Sequence, residues 1–430
     1  MAGRTLLPAL AAAAAIAAPA LAASGAGDLD KGFGTNGIAI AGDPDTSEHV
    51  EAGALDAKSR ILVASRSKHQ IVIDRLLPDG SPDPAFGEDG RSTLDFGEPD
   101  QVAKDVAADG AAVLTAGFTG FEGGDSDSYY RFQVNRLTPG GSLDASFGEN
   151  GTAIAPFAAY DVANAVVADD RGRVVAAGRS SNRYAGPADL AVARFDRGGT
   201  LDKGFAGDGM WRGDLRQGAG RSDEWIEDIA LDSHGRIVFA GAGGPVRGPS
   251  WMIVGRLRSD GRLDKRFGDD GIRRVFVSKH RASVGVALAL DARDRILLTG
   301  PVQSSPGSRN NFGVARLTRD GSLDEGFSGD GRTTIALDGE PADLISAARG
   351  RVVVAGKAAH PTRHVPLMTA ARLTRTGKLD RAFGDAGVRF VPIGEGPGQA
   401  AAVLGASQAR YLLVGEAGPA GIGVAALKAR

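Results

Sequence analysis

Gly261–Gly271 reads GRLDKRFGDDG, and six more copies of that turn run through the chain. They are GDLDKGFGTNG from Gly27, GSPDPAFGEDG from Gly80, GSLDASFGENG from Gly141, GTLDKGFAGDG from Gly199, GSLDEGFSGDG from Gly321 and GKLDRAFGDAG from Gly377. The aromatic anchors Phe33, Phe86, Phe147, Phe205, Phe267, Phe327 and Phe383 lie 53 to 62 residues apart. A period of this size marks units that stack to share a core.

Each unit carries four short apolar runs, bounded by Gly, Asp and Pro. After Gly151 these are Thr152 to Phe157, Val162 to Ala168, Arg173 to Gly178 and Leu190 to Phe195. Short Val- and Ile-rich runs read as strands, and a polar Asp-x-x-Gly step between the second and third makes a hairpin. The expectation is an all-β, seven-bladed β-propeller with four antiparallel strands per blade. The chain opens on a turn plus Ile38 to Ala41 and ends on a fourth-strand sequence at Gly423 to Leu427. The N-terminal strand is therefore expected to complete the last blade and close the ring.

The turns, with the DG-x-I-L-V-A-G and x-V-A-R-L-x-x-D-G segments, resemble the delta-60 repeat family. The resemblance covers Asp28 to Leu427 and implies a bacterial, export-associated propeller with no catalytic residues to transfer. More distantly, the strand logic is similar to NHL-type propellers. The chain departs from the pattern at Ser81-Pro82-Asp83, at Ala206 and Ser328, and at Ala426, where the other repeats have Arg.

Arg4, the apolar run Leu6 to Ala18 and the A-x-A site Ala20-Leu21-Ala22 read as a signal peptide over residues 1–22. The mature chain, 23–430, is then one propeller domain, secreted, periplasmic or on the cell surface. There is no cysteine, which excludes thiol catalysis and thiolate metal sites. Fifty basic against 52 acidic residues give no basic patch for nucleic acid. No membrane span is expected after signal removal, and a monomer is expected.

The repeated Asp30, Asp83, Asp144, Asp202, Asp264, Asp324 and Asp380 can cap the turns; a ring of calcium ligands is the other reading. Arg75, Arg136, Arg194, Arg256, Arg316 and Arg372 stand eight residues before the last six of these, in apolar strands. Burial calls for a carboxylate partner, against the alternative of a solvated outer face. With Ala426 at the seventh Arg position, Asp30 is expected to lack such a partner.

Function is expected on unequal loops at one rim. The longest insertions, Phe118 to Arg131, Arg179 to Ala188 and Arg212 to Glu224, carry Tyr129, Tyr130, Arg183, Tyr184, Arg216, Arg221, Asp223 and Glu224 as candidate ligand-binding residues. Aromatics with Arg suit an extracellular glycan, peptide or acidic ligand. No cofactor is required. Calcium is the one candidate, on Asp43, Asp45 and Glu48 or on Asp125 and Asp127, although neither stretch has the EF-hand pattern. Pro361 argues against a helix aligning His360 with His364 for zinc. HExxH, G-x-S-x-G, P-loop and dinucleotide motifs are absent. The leading reading is a non-enzymatic binding or scaffold propeller. The alternative is a calcium-assisted hydrolase or lyase at the channel mouth, using Glu51, Asp105, Glu227 and Asp228 on innermost strands.

Overall fold

The computed structural model describes residues 25–42, 48–121, 129–184, 186–215, 222–245, 250–277, 283–303, 309–394, 396–407, 409–418 and 421–430. Among the described residues the regular structure is almost wholly strand, with a three-residue 3-10 turn at Ala348–Gly350. Sheets form a β-propeller. The innermost strand of each sheet packs on that of the next, and Glu48–Leu55 against Gln399–Ser407 completes the circle.

The expectation of seven separate blades is corrected. Five sheets are free-standing four-stranded blades: residues 48–94, 222–275, 287–335, 339–391, and 399–428 with the strand Ile38–Ala41. The remaining eight strands, within 100–213, form one continuous sheet. The separate blades thus number five, not seven. A parallel bridge between Tyr130 and Tyr160 stitches the two halves of the long sheet, where the Tyr130 N–H donates to the Ala159 carbonyl at 2.9 Å. The Tyr130 and Tyr160 rings pack edge-on beside the bridge, 6.1 Å apart. A unit whose edge is left unpaired at one point can take up a neighbour's strand there.

Ile38–Ala41 pairs antiparallel with Ile422–Lys428, in the register Ile38 to Ala425 and Ala41 to Ile422. First and last strands therefore share a sheet, and no blade is left short.

The core lies between sheets. Each repeated Phe is fully buried and sits in a cluster drawn from two neighbouring sheets or halves. Phe86, for example, packs with Leu62 and Ile73 on one side and Val106 and Val113 on the other. Burying one such side chain contributes roughly 1.5–3 kcal/mol.

The turns also link each unit to the next through polar contacts. The residue after each Phe donates its backbone N–H to the following unit's turn: Gly34 to Asp79, Gly148 to Gly198, Gly384 to Ala26, all within 2.7–2.8 Å. The fourth-strand Arg works in parallel. Arg75, Arg194, Arg256, Arg316 and Arg372 bond their turn Asp at 2.7–2.9 Å, and Arg136 lies 3.5 Å from Asp144. Each guanidinium stacks over the same turn's Phe, 4.3–6.0 Å from the ring centre, and donates to a carbonyl of the next unit, as Arg75 does to Pro139 at 2.8 Å.

Asp30 is not unpartnered, contrary to expectation. Arg410, from the start of a third strand, reaches it at 2.6 Å, stacks 5.5 Å from Phe33 and donates to the Pro78 carbonyl at 3.0 Å. The equivalent third-strand Arg60, Arg173, Arg236, Arg295 and Arg351 lie 2.9–3.7 Å from their own turn Asp. Asp83, Asp202, Asp264, Asp324 and Asp380 thus each have two guanidinium partners, and Asp30, with Ala426 at the fourth-strand position, keeps the third-strand one. The converse holds in the first half of the long sheet, where Ala112 replaces the third-strand Arg and Arg136 reaches Asp109 at 3.1 Å.

Candidate functional site

Two places combine side chains in ways that packing alone does not require: the loop-bearing rim beside the long sheet, and the axial channel.

At the rim, Tyr130 is the second residue of the strand Tyr129–Leu137 and bridges to Tyr160, and Tyr184 follows the strand Val174–Ser181. The three rings form a triangle with centroids 5.8–6.3 Å apart, and Phe118 backs Tyr130 at 4.6 Å. Offset and edge-on aromatic contacts at these distances hold rings in fixed orientations. Tyr184 is 47% exposed, an aromatic presented to solvent on an ordered base. Arg183 lines a cavity of about 260 Å³ beside it, with Asp189, Arg212 and Ser222. Tyr129 points elsewhere: its hydroxyl donates to Glu98 at 2.8 Å, and Arg131 stacks 4.4 Å from its ring. The Glu98 carboxylate holds that hydroxyl's pKa above the ordinary tyrosine value.

Asp223 has a structural task, accepting from the Ala188 N–H at 2.9 Å and tethering that loop to the next blade. Glu224 is buried, and burial pushes its carboxyl pKa upward. Glu48 gives both oxygens to Arg91, at 2.8 and 3.0 Å, with Asp74 on the same guanidinium at 2.8 and 2.9 Å. Asp43, Asp45, Asp125, Asp127, Arg216 and Arg221 lie outside the described residues. Sequence reading thus found two members of the aromatic triangle; Tyr160 was missed because it opens an inner strand rather than an insertion.

In the channel, inner strands bulge at a common position. Glu51, Lys104, Asn164, Glu227, Ala342 and Ala401 are the extra residues there. Glu51 pairs with Lys104 at 2.9 Å across neighbouring units. Glu227 accepts from the Trp225 indole at 2.6 Å, and burial raises its pKa. The residue after the bulge is Ala52, Asp105, Ala165, Asp228, Asp343 or Ala402, and Ala287 is the equivalent at the start of the unbulged strand Ala287–Leu290, so that an Asp stands in every second unit from Asp105 to Asp343. Each Asp accepts from the N–H next to it and from an N–H one unit onward: Asp105 from Val166 at 2.8 Å, Asp228 from Leu288 at 2.7 Å, Asp343 from Val403 at 2.8 Å. Desolvation pushes all three carboxyls up to about 7; those N–H bonds pull the other way, and the other channel Asp add repulsion. Asp343 was missed in the sequence, although it occupies the same repeat position as Asp105 and Asp228.

Residues 123–147, 172–205 and 294–327 match the family described as "Domain of unknown function (DUF5122) beta-propeller", which supports a bacterial β-propeller repeat family. No curated protein matches the chain. Among solved structures, YCF48 bound to D1 peptide is similar at TM-score 0.50 and 10% identity, over 96% of this chain and 99% of that one. Catalytically inactive virginiamycin B lyase from Staphylococcus aureus with Quinupristin gives 0.49 and 12%, over 90% and 98%. A PL25 ulvan lyase bound to -[GlcA(1-4)Rha3S]- gives 0.48 and 10%, over 95% of each chain. At 10% identity the likeness to YCF48 shows the β-propeller fold alone.

Proposed function

We propose that the chain is an exported binding propeller whose tyrosine-bearing rim holds an extracellular or cell-envelope ligand, a glycan or a protein segment. The observation that carries this reading is the Tyr130–Tyr160–Tyr184 triangle, with Tyr184 presented to solvent beside Arg183. A rigid aromatic next to a guanidinium offers stacking and directed hydrogen bonds at little entropic cost. No helix among the described residues is long and apolar enough to cross a membrane; the N-terminal signal supports export.

The enzymatic alternative draws on the channel carboxyls. Both oxygens of Asp105, Asp228 and Asp343 already accept backbone N–H bonds, which suits a role in holding units together better than one in proton transfer.

The test is a glycan and peptide binding screen on the mature chain. Tyr184→Ala should weaken a captured ligand by about tenfold or more, as loss of a central aromatic anchor does, with an unchanged melting temperature. A ligand whose affinity survives both Tyr184→Ala and Arg183→Ala would overturn the assignment to this rim.

A further inference from the structure

We propose that the face opposite the tyrosine rim carries an oxyanion site, in the cavity between the blade 339–391 and the last blade. Arg349, Arg351 and Tyr411 hold a phosphate, sulfate or carboxylate group there. The site lies away from the tyrosine rim and does not rest on the reading given to it.

Repeated hairpins supply the comparison. Between second and third strands, Asp56, Asp169, Asp232 and Asp291 each stand four residues before an Arg. Each carboxylate accepts from the N–H two residues on, from the N–H of that Arg and from its Nε. At Asp169 the three distances are 2.9, 2.9 and 2.7 Å, and the same bonds recur at Asp56, Asp232 and Asp291. In the hairpin joining Gly339–Ala347 to Arg351–Ala359 the position is Ala347. Arg351 turns its Nε instead to Asp380 at 2.9 Å, onto the oxygen that Arg372 also holds at 2.9 Å.

The hairpin carboxylate is lost while both guanidinium groups stay. Asp169 and Asp202 balance Arg173 and Arg194, but Asp380 alone faces Arg351 and Arg372, so one positive charge is left over. Arg349, exposed at the hairpin tip and without an ion pair among the described residues, adds a second. These side chains line a cavity of about 570 Å³ on which no acidic side chain lies. The equivalent cavity beside Arg173 and Arg194 is lined by Asp169, Asp202 and Asp232 as well. Guanidinium groups left without a carboxylate suit another oxyanion of the same geometry.

Tyr411 provides a second, independent observation. Its place in the other units is held by Ile61, Val113, Val174, Ile237, Ile296 and Val352, so a hydroxyl enters here where packing elsewhere uses an aliphatic side chain. Tyr411 lines the cavity, is 4% exposed and packs 6.3 Å from the Phe383 ring, yet its hydroxyl makes no hydrogen bond to a described residue. A buried donor without an acceptor is costly, and an anion held by the neighbouring arginines would accept from it. The competing account is a cavity filled by water alone.

Titration of the full mature chain with sodium phosphate, sodium sulfate and sodium acetate, each against sodium chloride of equal ionic strength, separates the two by calorimetry and melting temperature. At least one oxyanion should bind and raise the melting temperature beyond chloride, and the order among the three identifies the group the site takes. Ala347→Asp rebuilds the carboxylate of the other hairpins, so it should abolish binding while melting no lower than the parent without anion. Arg349→Ala, at an exposed position, should weaken binding by about tenfold or more and leave the anion-free melting temperature unchanged. Tyr411→Phe keeps the ring on Phe383 and should weaken binding by about threefold or more. No binding beyond chloride, or binding that both Ala347→Asp and Arg349→Ala leave intact, would overturn the proposal and leave these guanidinium groups to water and the chain's own α-carboxylate.

Discussion

At the residue scale, the repeated turn condenses several demands into a few side chains. Arg194 bonds Asp202 at 2.8 Å, donates to the Ser259 carbonyl at 2.5 Å and stacks 4.8 Å from Phe205. Arg194→Ala should therefore destabilise by about 2–4 kcal/mol, since it leaves a largely buried carboxylate with Arg173, 3.6 Å away, as its remaining guanidinium beside the Gly204 N–H. A denaturant-unfolding cycle with Asp202→Ala should give a coupling energy of about 1–3 kcal/mol; a value near zero would show the pair to be incidental. The glycine after Phe offers a second test. Gly87 sits at φ +57°, where an added Cβ would lie 1.8 Å from the Arg91 carbonyl oxygen. Ala206 occupies the equivalent place at φ +54°, and there Gly207 follows at φ +100° and reshapes the turn. Gly87→Ala should cost well over about 1 kcal/mol, whereas Ala206→Gly should be neutral or stabilising by under about 1 kcal/mol. Shifts of unfolding midpoint equal in size and opposite in sign would show that the two turns tolerate Cβ alike.

At the element scale, the strand Ile38–Ala41 does more than cover an edge. Its turn supplies Phe33 to the core between last and first blades, Asp30 to Arg410, and the Gly34 N–H to the Asp79 carbonyl. Removing residues 27–42 exposes an edge and apolar surface and cuts the bonds that close the circle. A large fall in melting temperature is expected, and a truncated chain melting within about two degrees of the parent would count against closure by this strand. Asp30→Ala separates the ion pair from the strand: it should cost less than the deletion, because the β-ladder to Ile422–Lys428 survives.

At the scale of the whole molecule, the three channel aspartates couple stability to pH. Burial raises their folded-state pKa values from 3.8 to about 7. Between those values the folded chain holds protons that the unfolded chain releases, so stability falls as pH rises from about 4 to about 7 and levels off above that. Facing them in the same channel are Glu51, paired with Lys104, and Glu227, bonded to Trp225 and itself raised by burial, so that Glu227 adds to the slope in the same direction. The parent should melt at a higher temperature at pH 5 than at pH 8. Alanine already stands at the equivalent positions Ala52, Ala165, Ala287 and Ala402, so the triple change of Asp105, Asp228 and Asp343 to Ala should fold and make this slope markedly shallower. A parent that melts higher at pH 8, or a slope that the triple change leaves undiminished, would defeat the assignment.

Strand content, the antiparallel hairpins, the pairing of Ile38–Ala41 with the C-terminal strand, and the Arg–Asp spacing of eight residues were legible in the sequence. These are local or periodic properties, and repetition amplifies a signal that any single repeat leaves ambiguous. Contacts between repeats were not legible. The bridge from Tyr130 to Tyr160 depends on how two neighbouring units meet, and it merges two sheets that periodicity alone counts as separate. Arg410 replaces the missing Arg at Asp30 because adjacent strands of one blade bring both guanidinium positions to the same carboxylate. Asp105 and Asp228 were legible as residues of innermost strands, but the bonds that they and Asp343 accept from the next unit arise only when strands far apart in sequence converge. Propensity acts along the chain, whereas desolvation and charge pairing act through space, so tertiary structure alone decided which of the many acidic residues share an environment.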